Sequence, residues 1–117
     1  MEKSKTFYDA ALKSLGYTPY RDYAPDAVGY LEGESTSFWI VRKDEKIMPI
    51  HVALGATSKE AVAEFHRAGL ASGGKDNGAP GFREAYGPDY YAAFIYDPDG
   101  NNIEACYFGE TAAGATT

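Results

Sequence analysis

Residues 94–108 read FIYDPDGNNIEACYF. Two apolar runs flank Asp97-Pro98-Asp99-Gly100-Asn101, a cluster of turn formers, so the stretch reads as a hairpin. The second run carries one carboxylate, Glu104, at its centre. Side chains alternate between the two faces of a strand, so Ile103, Ala105 and Tyr107 share one face and Asn102, Glu104 and Cys106 the other. Burying an unpaired carboxylate is costly. Glu104 is therefore turned to water, paired with Arg42 or Arg83, or placed to hold something.

An internal repeat narrows the choice. Residues 7–16, FYDAALKSLG, align with residues 65–74, FHRAGLASGG, matching at Phe7/Phe65, Ala10/Ala68, Leu12/Leu70, Ser14/Ser72 and Gly16/Gly74. Each copy has helical spacing. Phe7, Tyr8, Ala11, Leu12 and Leu15 line one face of the first, with Gly16 just past its end; Val62, Phe65 and Gly69 line the second, closed by Gly73-Gly74. Thr57-Ser58-Lys59-Glu60 reads as a capping box at the start of the second helix, with Thr57 and Glu60 satisfying free backbone donors. Strand-like runs follow each helix. AVGYLEG (27–33) and SFWIVRK (37–43) are joined by a Gly33-Glu34-Ser35 turn; YYAAFIY (90–96) and NNIEACYF (101–108) are joined by the DPDG turn.

Before the second helix stands MPIHVALGA (48–56), in which Ile50, Val52 and Leu54 alternate with His51, Ala53 and Gly55. The matching strand of the first half would lie upstream of Met1. The reading is an α+β fold of two βαβββ-type halves, about 1–46 and 47–108, within one domain spanning 1–108. They form a curved mixed sheet with helices outside, and the first half lacks its leading strand. His51 and Glu104 both fall on the face away from the helices and converge on the inner surface, where small neighbours leave room for a ligand.

Composition excludes other classes. The 117 residues suit one domain with a real core. A net charge of −6, with 17 acidic and 11 scattered basic residues, disfavours nucleic acid. No run is long and apolar enough for a membrane span, and the N-terminus has no signal core, so a cytoplasmic protein is expected. A single cysteine, Cys106, rules out an internal disulfide and a multi-thiolate zinc site. Cys106 shares the Glu104 face, but a free cysteine is commonly a small core hydrophobe. His66, between Glu64 and Arg67, is expected at the solvated surface. The segment GGKDNGAPGFREAYGPDYY (73–91) reads as a long loop, either a lid carrying Phe82, Arg83, Tyr86, Tyr90 and Tyr91 or a meandering connection with short strand pieces. The tail 109–117 has no apolar periodicity and should fray.

The doubled β-α-β-β-β unit, the His of IHVALG, the PDGNNIE turn and strand, and the FYxxxLxxLG-like helix together resemble the vicinal oxygen chelate superfamily. That group includes glyoxalase I, bleomycin-resistance proteins, fosfomycin-resistance enzymes and extradiol dioxygenases. The resemblance runs over about residues 4–108. It implies a homodimer and, in metal-dependent members, a divalent ion (Zn, Ni, Mn or Fe) held by ligands from both halves. Carried over, His51 and Glu104 match the second-half metal ligands, and Glu104 or a bound water would move the proton in lyase or dioxygenase chemistry. In the first half Trp39 stands where an acidic ligand is expected. The alternative is a metal-free protein resembling bleomycin-resistance proteins, which sequesters a small aromatic or cationic molecule. Trp39, Arg83, Tyr86 and Tyr91 are the candidate ligand contacts.

Overall fold

The computed structural model describes residues 1–33, 36–43 and 48–109. Nine elements run in the order α1 (Glu2–Lys13), β1 (Tyr17–Tyr23), β2 (Ala27–Glu32), β3 (Thr36–Val41), β4 (His51–Gly55), α2 (Lys59–Ala71), β5 (Lys75–Phe82), β6 (Tyr90–Tyr96) and β7 (Asn102–Phe108). The strands form two sheets, one ordered β1-β2-β3 and the other β4-β7-β6-β5. All pairs are antiparallel except β4 with β7, whose connection runs through α2, as a parallel pair requires.

Each helix buries its apolar stripe against sheet and partner helix. Phe7, Tyr8, Ala11, Leu12 and Leu15 of the α1 region, Val62 and Phe65 of α2, and Val28, Tyr30, Ala93, Ile95, Ile103 and Ala105 from the strands make one core. Burying side chains such as Phe7 and Phe65 stabilises by roughly 1.5–3 kcal/mol each. Gly69 in the last turn of α2 is explained by contact. A Cβ there would lie 2.5 Å from Ile95 Cδ1 and 3.2 Å from Phe7 Cε1. The bare backbone lets α1, α2 and β6 meet at one point, which outweighs the helix propensity lost.

Asp97 organises the DPDGN turn. Its Oδ1 accepts from the backbone N–H of Asp99 (3.0 Å) and Asn101 (2.8 Å), and its Oδ2 from Tyr8 Oη (2.6 Å) and Asn101 Nδ2 (2.9 Å). The turn is thereby tied to α1. Burial, then the hydrogen bond to Asp97, pushes the Tyr8 phenol well above the ordinary tyrosine range.

Two expectations need correction, one open alternative is decided, and one strand goes beyond the reading. Ser58, not Thr57, caps α2, accepting from Ala61 N at 3.0 Å, so the helix starts one residue later than the capping box implies. Residues 17–23 are a strand although they lack apolar alternation, because only Tyr17 of them is buried. Of the two readings of 73–91, the connection with strand pieces is the nearer: Lys75–Phe82 is the edge strand β5, held on β6 with irregular register around Gly78. His66 is not solvated: its side chain is 12% exposed and its Nε2 meets Asp76 Oδ1 at 2.9 Å, linking α2 to β5. The Gly33-Glu34-Ser35 turn and the tail beyond Gly109 lie largely outside the described residues.

Candidate functional site

Cross-strand register decides which side chains meet. On β7 and β6, Glu104 stands opposite Phe94, Cys106 opposite Ala92, and Phe108 opposite Tyr90. Ala53 of β4 lies beside Glu104 on the other side. These residues occupy the face away from α2, whereas Ile95, Ile103, Ala93 and Ala105 fill the helix side. The small Ala53, Gly55 and Ala92 leave that face low, and the larger polar groups stand above it.

His51 and Glu104 converge as the alternation predicts, with His51 Nε2 2.9 Å from Glu104 Oε1. Tyr90, which the sequence reading left among the residues of the presumed loop, donates its hydroxyl to Glu104 Oε2. An ionised carboxylate only accepts, so with Glu104 ionised the His51 Nε2–H is a donor. The exposures are graded: the Glu104 side chain is 3% exposed and that of His51 52%. The imidazole therefore carries the influence of a buried acid out to solvent. Burial, then the bond to Glu104, raises the Tyr90 phenol above its ordinary range.

Cys106 is buried, with Sγ 3.7 Å from Leu54 O. Burial and the charge of Glu104 raise its thiol, which disfavours the thiolate a nucleophile needs. Neither arginine pairs with Glu104: Arg42 bonds Asp26, while Arg83 donates to Ala79 O and sits 5.4 Å above the Phe94 ring. Arg83 thus reaches the Glu104 face through Phe94. Tyr86 is exposed and packs edge-on against Tyr90 at 5.3 Å. Tyr91 falls on the opposite, helix-side face, where it meets Phe82 at 5.1 Å, because its parity differs from that of Tyr90 by one.

The first sheet has its own open face. Trp39 stands opposite Gly29, and its ring lies flat on that glycine, where a Cβ would come within 2.7 Å of Cη2 and Cζ2. Tyr23 stacks on Trp39 at 6.5 Å and 11°, and Tyr20 meets it edge-on at 6.4 Å. The Arg21 guanidinium lies 4.0 Å from the Tyr20 ring centroid. All three rings are exposed, by 43% for Tyr20, 58% for Tyr23 and 41% for Trp39, so Trp39 is a surface platform rather than core.

The fold recurs in solved structures. A glyoxalase/bleomycin resistance protein from Albidiferax ferrireducens T118 is 32% identical, with a TM-score of 0.75 over 92% of this chain and 88% of its own. The chain belongs to the glyoxalase/bleomycin resistance protein family. A putative glyoxalase from Bacillus halodurans is 26% identical over 92% of this chain and 86% of its own, with a TM-score of 0.68. A lactoylglutathione lyase from Agrobacterium tumefaciens, 16% identical over 91% of this chain and 84% of its own, shares the fold at a TM-score of 0.63. No family model and no curated protein matches the chain.

As a glyoxalase/bleomycin resistance family member, the chain can be tested for a metal through its donors. His51 and Glu104 supply an imidazole nitrogen and a carboxylate of suitable chemistry. A catalytic zinc site uses three protein ligands, yet among the described residues no group of three His, Cys, Asp or Glu side chains converges. Both oxygens of Glu104 are already engaged, one by His51 and one by Tyr90. Among the described residues, the donors of a single chain therefore do not by themselves complete such a site.

Proposed function

We propose that this protein binds a small planar, ring-bearing molecule without the help of a metal, in the manner of a sequestering member of its family. The observation that carries the reading is the exposed aromatic platform of Trp39, Tyr23 and Tyr20, held flat on Gly29. Rings of this kind offer stacking worth about 0.5–1.5 kcal/mol per pair beyond burial, and more to a cation over the ring face. The net charge of −6 also favours a cationic ligand. Glu104 and His51 supply a polar anchor, the acid fixed from behind by Tyr90.

Both open sheet faces are exposed, which supports a homodimer in which the aromatic face of one chain closes over the His51–Glu104 face of the other. The ligand would then be held between stacking surface and anchor. A second reading, a metal-dependent lyase or dioxygenase, is favoured by the 2.9 Å approach of His51 to Glu104 and would need a further ligand from the second chain.

Trp39 is the sole tryptophan, so its emission reports directly on the platform. Titration with bleomycin and with a planar cationic acridine should quench it saturably, unaffected by EDTA. Calorimetry should show the binding lost in Trp39→Leu and weakened in Glu104→Gln. No saturation by either compound below millimolar concentration sinks the proposal. Stoichiometric zinc, nickel, manganese or iron by elemental analysis, with formation of lactoylglutathione that EDTA abolishes, would establish the second reading instead.

A further inference from the structure

The open face of the second sheet also carries a guanidinium. Register lines up one position from each strand across it: Ala53 of β4 beside Glu104 of β7, then Phe94 of β6, then Gly78 of β5. The last has no side chain, and Arg83, just past the end of β5, lays its guanidinium in that space. A Cβ at Gly78 would stand 3.0 Å from Phe94 Cδ1 and 3.1 Å from Arg83 Nη2, and one at Gly81 would stand 3.1 Å from Arg83 Nη1. The two bare positions make a cradle that lets the guanidinium lie 5.4 Å from the Phe94 ring centroid. His51 approaches the same ring at 6.2 Å.

The backbone that carries Arg83 is pinned on both sides. Its N–H donates to Tyr90 O at 2.7 Å, and its C=O accepts from Tyr86 N at 2.9 Å. The residue is half-buried, and one guanidinium nitrogen is engaged, Nη2 donating to Ala79 O at 2.7 Å. Among the described residues Arg67 takes Glu64 and Arg42 takes Asp26, but no carboxylate pairs with Arg83. Glu104, the acid on that face, is buried with both oxygens engaged by His51 and Tyr90. A partly desolvated charge without a counter-charge is costly. Held in place with donors to spare, a planar guanidinium matches the geometry of a carboxylate.

We propose that Arg83, cradled by Gly78 and Gly81 and backed by Phe94, binds the carboxylate of a small organic acid. The carboxylate accepts from the guanidinium donors that Ala79 leaves open, and the apolar part of the acid lies over Phe94, where Ala53 and Ala92 keep the face low. A lysine would bring the charge without the planar fork. A side chain at position 81 would keep the charge but push the fork out of its cradle. The site lies on the other sheet from Trp39, Tyr23 and Tyr20, and it does not rest on the aromatic platform as a ligand site.

The test titrates the whole protein with sodium benzoate, against sodium chloride at equal ionic strength, and follows the Arg83 Nε–H and the amides of Gly78 and Phe94 by NMR. Benzoate should shift all three saturably in the low-millimolar range and leave Trp39 emission unchanged, and chloride should shift none. Read on the two amides, Arg83→Gln should weaken binding about tenfold or more, as loss of a charge-assisted hydrogen bond requires. Arg83→Lys and Gly81→Val, which both keep the charge, should weaken it as well. A shift that stays linear in benzoate, one that chloride reproduces, or undiminished binding by any of the three variants overturns the proposal. Quenching of Trp39 with the Arg83 resonance unmoved also overturns it, by placing the acid on the platform. Saturable benzoate binding at Arg83 supports the proposal even where an acridine fails to quench Trp39, so the two readings fail separately.

Discussion

Replacing Gly29 by alanine should couple specifically to Trp39. The added Cβ would stand 2.7 Å from Cη2 and Cζ2 of the indole and 2.8 Å from Cε2. Carbon atoms rest about 3.5–4.0 Å apart, so the ring must rise by about 1 Å. Overpacking of this kind costs about 1–3 kcal/mol, and the lifted ring also loses part of its stacking on Tyr23. Against this, alanine is better than glycine in a strand by roughly 0.5–1 kcal/mol. Gly29→Ala should thus destabilise the protein by about 1–2 kcal/mol. In a Trp39→Ala background the obstacle is gone and only the backbone gain remains, so the same substitution should stabilise by about 0.5–1 kcal/mol. The interaction energy of the cycle is then about 1.5–3 kcal/mol. Urea unfolding followed by far-ultraviolet circular dichroism measures all four proteins on one footing, because the signal does not depend on the tryptophan. An equal change in both backgrounds would refute the stacked geometry, and with it the platform on which the proposed ligand rests.

Two further outcomes follow from the buried and paired acids. Asp97→Ala should cost about 2–4 kcal/mol in chemical denaturation, because it leaves the buried Tyr8 hydroxyl without an acceptor and frees two turn amides; Asp97→Asn, which keeps one acceptor oxygen, should cost less than half as much. The hydrogen bond from His66, then that from Gly78 N–H, holds Asp76 below the usual 3.8. A lowered folded-state value means the contribution is present above the usual carboxylate range and is lost as pH falls through the folded value. The melting temperature of the wild type should therefore exceed that of Asp76→Asn at about pH 6, with the gap closing at about pH 2.5; a gap that persists at the lower pH would contradict the pairing.

What could be read in the chain followed from period. Alternation in IHVALG and NIEACY placed His51 and Glu104 on one face, and the helical spacing of Phe7, Leu12, Val62 and Phe65 placed the core on the other. The helices and β4 give strong signals because each has one buried side, whereas β7 buries both faces from Ile103 to Cys106 and is legible through its alternation of residue type. β1 carries no such signal: six of its seven residues are exposed, and Pro19 lies within it. β5 reads as a loop because Gly78, Pro80 and Gly81 look like punctuation, and only pairing with β6 makes it a strand. Tyr90 was missed as a partner of Glu104 because a tyrosine in an aromatic run looks like packing. Counting back through the DPDG hairpin would have found it, since Tyr90 faces Phe108, which shares the parity of Glu104. The same count puts Tyr91 on the helix-side face. Trp39 departs from the expected ligand pattern because the first half carries an exposed aromatic cluster, Tyr20, Tyr23 and Trp39, at that place.

The parallel pairing of β4 with β7 has a kinetic meaning. His51 and Glu104 are 53 residues apart, and α2, β5 and β6 all lie between them. A loop of that size closes against a large entropy, and non-local strand pairing is slow to be rewarded. Both helices and the four antiparallel pairs β1-β2, β2-β3, β5-β6 and β6-β7 can form from near neighbours, so they need not wait for it. The acid–imidazole contact should therefore be among the last features to assemble on folding. A preparation with a full complement of helix can lack the site altogether, and the chemical shifts of the His51 ring, rather than the helical signal, tell the finished protein from its near-native precursor.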